Sequence, residues 1–210
     1  MTKVHLKNKY KAIVIGVSAG GMNALSRLLA GFEKGFPLPI IIAQHLHATD
    51  DGFLFQYFND RCSLKVKEAD EKEAIRPGHI YFAPPNYHLL IERDKTFSLS
   101  IDEKVRYSRP SIDVLFESAS RVWLSGVIGI ILTGANDDGA RGIRCIKQNG
   151  GLTIAQDPAT AEYPFMPRSA IDLGAVDEVL PLEAIAKRLT ELVAHIPESN
   201  AASIKNRKEK

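Results

Sequence analysis

One stretch constrains the chain more than any other: Ala12-Ile13-Val14-Ile15-Gly16-Val17-Ser18-Ala19-Gly20-Gly21. A β-branched apolar run ends at a glycine, a lone serine follows, and two glycines lead into a helical pattern from Met22. This is a buried strand, a tight turn and a helix start, with one hydroxyl at the crown. Such a turn lifts the serine Oγ off the backbone and sets it beside a helix N-terminus, where negative charge is favoured. In the plainer reading, Ser18 only caps the helix. The glycine spacing fits two further patterns. Gly16-x-Ser18-x-Gly20 has the form of a hydrolase nucleophile elbow, but that pattern needs a late histidine, and only His195 is near the C-terminus. Gly16 and Gly21 match the outer glycines of a dinucleotide fingerprint. There Ser18 replaces the middle glycine, and Gln44-His45 stands where a ribose-binding acid belongs.

The rest of the chain alternates strands with helices. A strand over Tyr10–Gly16 leads to a helix over Met22–Phe32, stopped by Gly35 and Pro37. The apolar run Pro39–Ala43 is a strand covered on both faces, parallel to the first through a right-handed crossover. Phe53–Asn59 reads as a short aromatic helix and Leu64–Glu68 as a strand. His79–Ala83, His88–Glu92 and Thr96–Ile101 read as short alternating strands, the last two forming an antiparallel hairpin through Arg93-Asp94-Lys95. Ser111 caps a helix from Ile112 to Trp123. A strand over Gly126–Leu132 then enters the polar loop Thr133–Gly139, followed by a helix to Gln148 and a strand over Gly151–Ala155. Helices over Pro167–Leu173 and Leu182–Ala194 close the pattern. The expected fold is α/β: a doubly wound, mostly parallel sheet, Rossmann-like in three α/β/α layers, with a small antiparallel hairpin. A single domain is expected over 10–196, with a flexible N-terminus over 1–9 and a disordered tail over 197–210.

Composition excludes several classes. The 210 residues carry a net charge of +2, which gives no electrostatic case for nucleic acid. No apolar run reaches the ~18 residues of a membrane helix and the N-terminus lacks an apolar core segment, so neither membrane insertion nor a signal peptide is expected. Cys62 and Cys145 are far apart and make neither a metal cluster nor a disulfide framework; both read as reduced core thiols of a cytoplasmic protein.

In a doubly wound sheet, reactive groups gather at the C-terminal ends of the strands. Three such ends carry Ser18, His45 and the Asp137-Asp138 pair. A serine needs an imidazole to take its proton, and the imidazole needs a carboxylate to fix its tautomer. The backbone N–H groups of Ala19 and Ala135 are candidate oxyanion donors. His47, His79 and His88 compete with His45 as the base, and either aspartate can serve as the acid. Each of these residues also has an ordinary role open to it, as a strand-end histidine or a loop carboxylate.

Six segments together resemble one family. They are Gly16–Gly21, Ala43-Gln44-His45, Arg76–Pro84, Arg109–Phe116, Ile131–Gly134 with Asp138-Gly139, and Met166-Pro167-Arg168. In this order they are similar to the catalytic domain of the chemotaxis protein-glutamate methylesterases, CheB, over Tyr10 to Ala194. The resemblance implies a Ser18-His45-Asp138 triad that hydrolyses glutamate γ-methyl esters on the cytoplasmic helices of methylated chemoreceptors. It also implies deamidation of receptor glutamines in many members, and neither a metal nor an organic cofactor. Arg106, Arg109 and Arg168 are candidate contacts to acidic receptor helices. The sequence departs from the family in having Ala19 where threonine is common, and Asn136 where the loop commonly has glycine. With only nine residues before the first strand, no receiver domain is expected within the chain; control would then fall to a separate regulator protein. The rival reading is a catalytically silent signalling scaffold of the same fold that binds methylated helices.

Overall fold

A computed structural model describes residues 9–45 and 53–194. Residues 1–8 of the expected N-terminal segment over 1–9, the tail over 197–210, His47 and His195 lie outside the described residues. In chain order the elements are β1 (Ala12–Val17), α1 (Gly21–Leu29), β2 (Ile40–Gln44), α2 (Phe53–Asn59), β3 (Lys65–Glu68) and β4 (His79–Phe82). Then come β5 (His88–Ile91), β6 (Phe97–Ser100), α3 (Ile112–Trp123), β7 (Val127–Ile131) and α4 (Ala140–Gln148). The chain closes with β8 (Leu152–Gln156), α5 (Phe165–Asp172), β9 (Glu178–Leu180) and α6 (Leu182–Ala194).

Seven strands form one sheet in the order β3-β4-β2-β1-β7-β8-β9, every neighbouring pair parallel. β5 and β6 make the separate antiparallel hairpin. This is the expected doubly wound α/β architecture. Alternation along β1 shows why both faces are covered. Ile13, Ile15 and Val17 pack into the layer holding Leu25 and Leu28 of α1 and Ile185 and Leu189 of α6. Ala12 and Val14 enter the opposite layer with Leu115 and Phe116 of α3 and Ile143 and Ile146 of α4. A strand with helices on both sides has no polar face, which is why it reads as an unbroken apolar run.

Several local expectations are corrected. β4, read as a short alternating strand, does not alternate: it lies inside the main sheet between β2 and β3, with Ile80, Tyr81 and Phe82 all buried. β9 was not anticipated, because three half-exposed edge residues carry too little pattern. α1 stops at Leu29, and α5 starts two residues before Pro167, whose ring is tolerated in a first turn. The cysteines are free but only half-buried, not core thiols, and burial raises the pKa of both. Ser111 occupies the N-cap position of α3, yet its hydroxyl makes no cap bond there.

The chain winds outward from β1 in both directions, through β2 on one side and β7 on the other. That reversal opens a crevice at the C-terminal ends of β1, β2 and β7. Ser18, His45 and the loop over 133–139 follow those strands directly.

Candidate active site

The Ser18 turn is built by hydrogen bonding and one left-handed glycine. Gly21 N–H donates to the Ser18 carbonyl at 2.9 Å, and Gly20 sits between them at φ 78°, ψ 1°. These are the marks of a type II turn, which demands a positive φ at its third residue. Gly20 therefore carries the sharp bend, and Ser18 is not among the residues with positive φ. A Cβ at Gly20 would also meet Glu162 and Thr133 at 3.0 Å. The turn is tied to β7's exit: Ser18 N–H donates to the Thr133 carbonyl at 3.0 Å, and Thr133 Oγ1 donates to the Ala19 carbonyl at 2.9 Å.

His45 stands between the other two groups. Its Nδ1 is 3.1 Å from Ser18 Oγ and its Nε2 is 2.8 Å from Asp138 Oδ2. A carboxylate facing Nε2 requires a proton there, which leaves the Nδ1 lone pair to accept from the serine hydroxyl. The competing histidines serve elsewhere. His79 lies at the N-terminal end of β4, bonded to the Pro77 carbonyl at 3.0 Å. His88 is buried, bonded to the Glu103 carbonyl and accepting from Ser111 N–H.

Asp138 is fully buried and fully engaged. Oδ1 accepts from Ser111 Oγ at 2.9 Å and from Asp113 N–H at 3.0 Å. Oδ2 accepts from Ile112 N–H at 2.8 Å as well as from His45. Burial alone would raise its pKa; the His45 hydrogen bond and the α3 backbone N–H groups outweigh that and hold it below the usual carboxylate range. Asp137, by contrast, is part-exposed and paired with Arg106. The two carboxylates are thus separated by environment.

Asp138 caps α3, and α3 returns the favour through Asp113, a role the sequence did not betray. Asp113 Oδ1 accepts from Gly139 N–H at 3.0 Å and Gly142 N–H at 2.7 Å, at the start of α4. Each helix therefore begins under a carboxylate from the other's first turn or lead-in. Two glycines make this fit. A Cβ on Gly16 would lie 2.3 Å from Ile112 Cγ2, and one on Gly139 would lie 2.6 Å from the same atom. Ile112 can therefore sit against β1 with its N–H aimed at Asp138.

The other expected site residues divide. Among the described residues, neither Ala19 N–H nor Ala135 N–H donates to a protein acceptor, and both stand at the crevice. Ala135 lines a hollow of about 220 Å³ with Tyr163, Pro164, Phe165 and Arg168. Arg168 thus stands close to the crevice. Arg106 pairs with Asp137 at 2.7 Å. Arg109 does not face the crevice as a free ligand: its Nη1 donates to the Ile101 and Asp102 carbonyls at 2.7 and 3.0 Å, and its Nε is buried. It pins the loop that leads into α3.

Comparison with known proteins gives the family. The profile of the CheB methylesterase family matches residues 13–189. A relative from Leptospira interrogans is 58% identical over 183 residues, covering 87% of this chain and 95% of its own length. It is named, provisionally, as a protein-glutamate methylesterase/protein-glutamine glutaminase. A Pseudomonas putida protein with the same two activities in its name is 38% identical over 182 residues, 87% of this chain but 54% of its own. Among solved structures, the Thermotoga maritima CheB methylesterase catalytic domain superposes with a TM-score of 0.84 at 36% identity. That match covers 88% of this chain and 99% of that one.

Proposed function

The chain belongs to the CheB methylesterase family, and from that premise we propose that it is a serine hydrolase removing methyl groups from glutamate γ-methyl esters, with Ser18, His45 and Asp138 as its triad. The observation that carries this reading is the continuous path from Ser18 Oγ through His45 to Asp138, at 3.1 and 2.8 Å. His45 Nδ1 takes the hydroxyl proton as Oγ attacks the ester carbonyl. The developing imidazolium is stabilised by Asp138, which its hydrogen bonds keep ionised against the effect of burial. The tetrahedral oxyanion is met by the N–H groups of Ala19 and Ala135. Collapse transfers the proton from His45 to the departing methoxide and releases methanol. Water, deprotonated by the same nitrogen, then cleaves the acyl-enzyme to leave a glutamate carboxylate and free Ser18. A glutamine side chain in place of the ester passes through the same steps and releases ammonia. Ala19 carries no hydroxyl, so the oxyanion is held by backbone groups alone at that position.

The substrates proposed are the methylated helices of chemoreceptors, on the cytoplasmic side, with a separate regulator protein; no described helix is long and apolar enough to cross a membrane. The decisive experiment is methanol release from methylated receptor membranes. Wild-type protein releases methanol, and Ser18→Ala lowers the rate about 10⁴-fold or more while leaving the fold intact. Release that survives the substitution would overturn the triad. No release by the wild type from any cognate receptor would favour a silent scaffold.

A further inference from the structure

The loop between β6 and α3 ends in a two-residue hairpin that the mechanism does not use. Val105 N–H donates to the Ser108 carbonyl at 3.2 Å and Ser108 N–H returns to the Val105 carbonyl at 2.9 Å. The two residues at the tip, Arg106 and Tyr107, both have left-handed backbones, at φ 48° and 63°. That is the type I′ pattern, for which Asn-Gly is the undemanding sequence. Here an arginine and a tyrosine are held in it, and tyrosine is a poor fit for that region. The surroundings enforce the conformation. Arg106 is clamped to Asp137 at 2.7 Å, and Arg109 grips the Ile101 and Asp102 carbonyls at the loop's base. Ser108 Oγ lies 3.5 Å from His45 Nδ1, on the nitrogen that faces Ser18. The tip therefore stands at the mouth of the crevice. Tyr107 is 97% exposed there, its ring covered by no part of the described chain.

Backbone strain held in place by its neighbours, beside reacting groups, marks a position kept for something other than stability. We propose that Tyr107 is a specificity-determining residue: its ring packs on the polypeptide that carries the ester, against side chains flanking the esterified glutamate. This rests on the esterase reading above. An amphipathic ring costs little conformational entropy when it makes such a contact and offers both apolar area and a hydroxyl. A small ester reaches Ser18 without touching the tip, whereas a helix cannot. Tyr107 therefore separates protein esters from free ones.

The test compares two substrates, methylated receptor membranes and N-acetyl-glutamate γ-methyl ester dimethylamide, both read by methanol release. Tyr107→Gly removes the ring and relieves the left-handed backbone while leaving Arg106 and its ion pair in place. The expected result is a ratio of kcat/KM for receptor over small ester about tenfold below wild type, carried by KM. Tyr107→Phe, which keeps the ring, restores most of the ratio. The denaturant midpoint of Tyr107→Gly is expected to equal or exceed that of wild type, so poor folding cannot explain the loss. A ratio unchanged in Tyr107→Gly, or both substrates falling together, would overturn the assignment. Absence of methanol from both substrates with the wild-type protein would overturn the esterase reading, and the assignment with it.

Discussion

At the scale of single residues, Asp138 does two jobs with one carboxylate. It faces His45, and it closes the N-terminus of α3 through Ile112, Asp113 and Ser111. Asp138→Asn keeps the shape but presents one acceptor oxygen and one donor amide, so His45 and the α3 N–H groups cannot all be served. We expect kcat for methanol release to fall about 10³–10⁴-fold, because the imidazole loses the group that fixes its tautomer. Stability should fall by about 1–3 kcal/mol, the usual range for disrupting buried hydrogen bonds to a charged group. Paired kinetics and urea unfolding check both halves. Ser18→Ala should show the first loss without the second, since among the described residues Ser18 Oγ is held only by His45. The same scale separates the expected arginines. Arg109 is consumed by loop carbonyls, whereas Arg168 lines the hollow beside Ala135.

At the scale of elements, α3 and α4 are fastened at their starts by exchanged carboxylates, and this fastening depends on two absent side chains. Gly16 and Gly139 both leave room for Ile112. Gly16→Ala would drive a methyl group into Ile112 Cγ2 and push the first turn of α3 away from β1. The expected cost is about 1–3 kcal/mol of stability, the range for overpacking a tight core. The larger signature is kinetic: kcat should fall because Asp138 follows the helix start it caps. Denaturant midpoint and kcat measured on one preparation decide whether the two move together. The sequence offered half of this. Gly16 was visible as a turn glycine, but its partner is 96 residues away, and helix–strand approach leaves no periodic trace. Ser111 looked like an ordinary cap for the same reason, since nothing local shows that its hydroxyl is taken by a loop 27 residues on.

At the scale of the molecule, winding order decides what meets. Strand ends at Ser18, His45 and the 133–139 loop could be named from the sequence because apolar runs end sharply there. Their meeting depends on β7 returning beside β1, a topological fact the alternation of elements made accessible. β4 was read as alternating because a four-residue strand is too short to separate alternation from burial on both faces, and β9 was missed because an edge strand of three residues carries no pattern. The pH dependence of the fold also belongs to this scale. A carboxylate with a depressed pKa stabilises the folded state fully above its unfolded value, about 3.9, and that support is lost as pH falls through the lower folded value. Asp138 and Asp177 are both depressed in this way. Asp113, raised by burial, acts in the opposite sense: its ionised form weighs against folding above the raised value and the weight lifts as it protonates. Wild type should therefore lose Tm between pH 5 and pH 2. The gap between wild type and Asp138→Asn should narrow over that interval, because asparagine has no proton to gain. Curves that stay parallel would contradict the assignment of Asp138 as a depressed, ionised carboxylate.

The exchanged carboxylates also bear on how such a protein would lose its chemistry. A tool that is also a rivet cannot be discarded freely. The serine touches the frame with its backbone and can lose its hydroxyl without disturbing anything but the reaction. The aspartate is built into the joint between two helices. A descendant of this chain kept only for its surface would therefore shed the serine first and hold the aspartate long after its histidine had no work to do. For the bench the consequence is the same: Ser18→Ala is the variant for holding an uncleaved substrate on an intact enzyme, and Asp138→Asn is not.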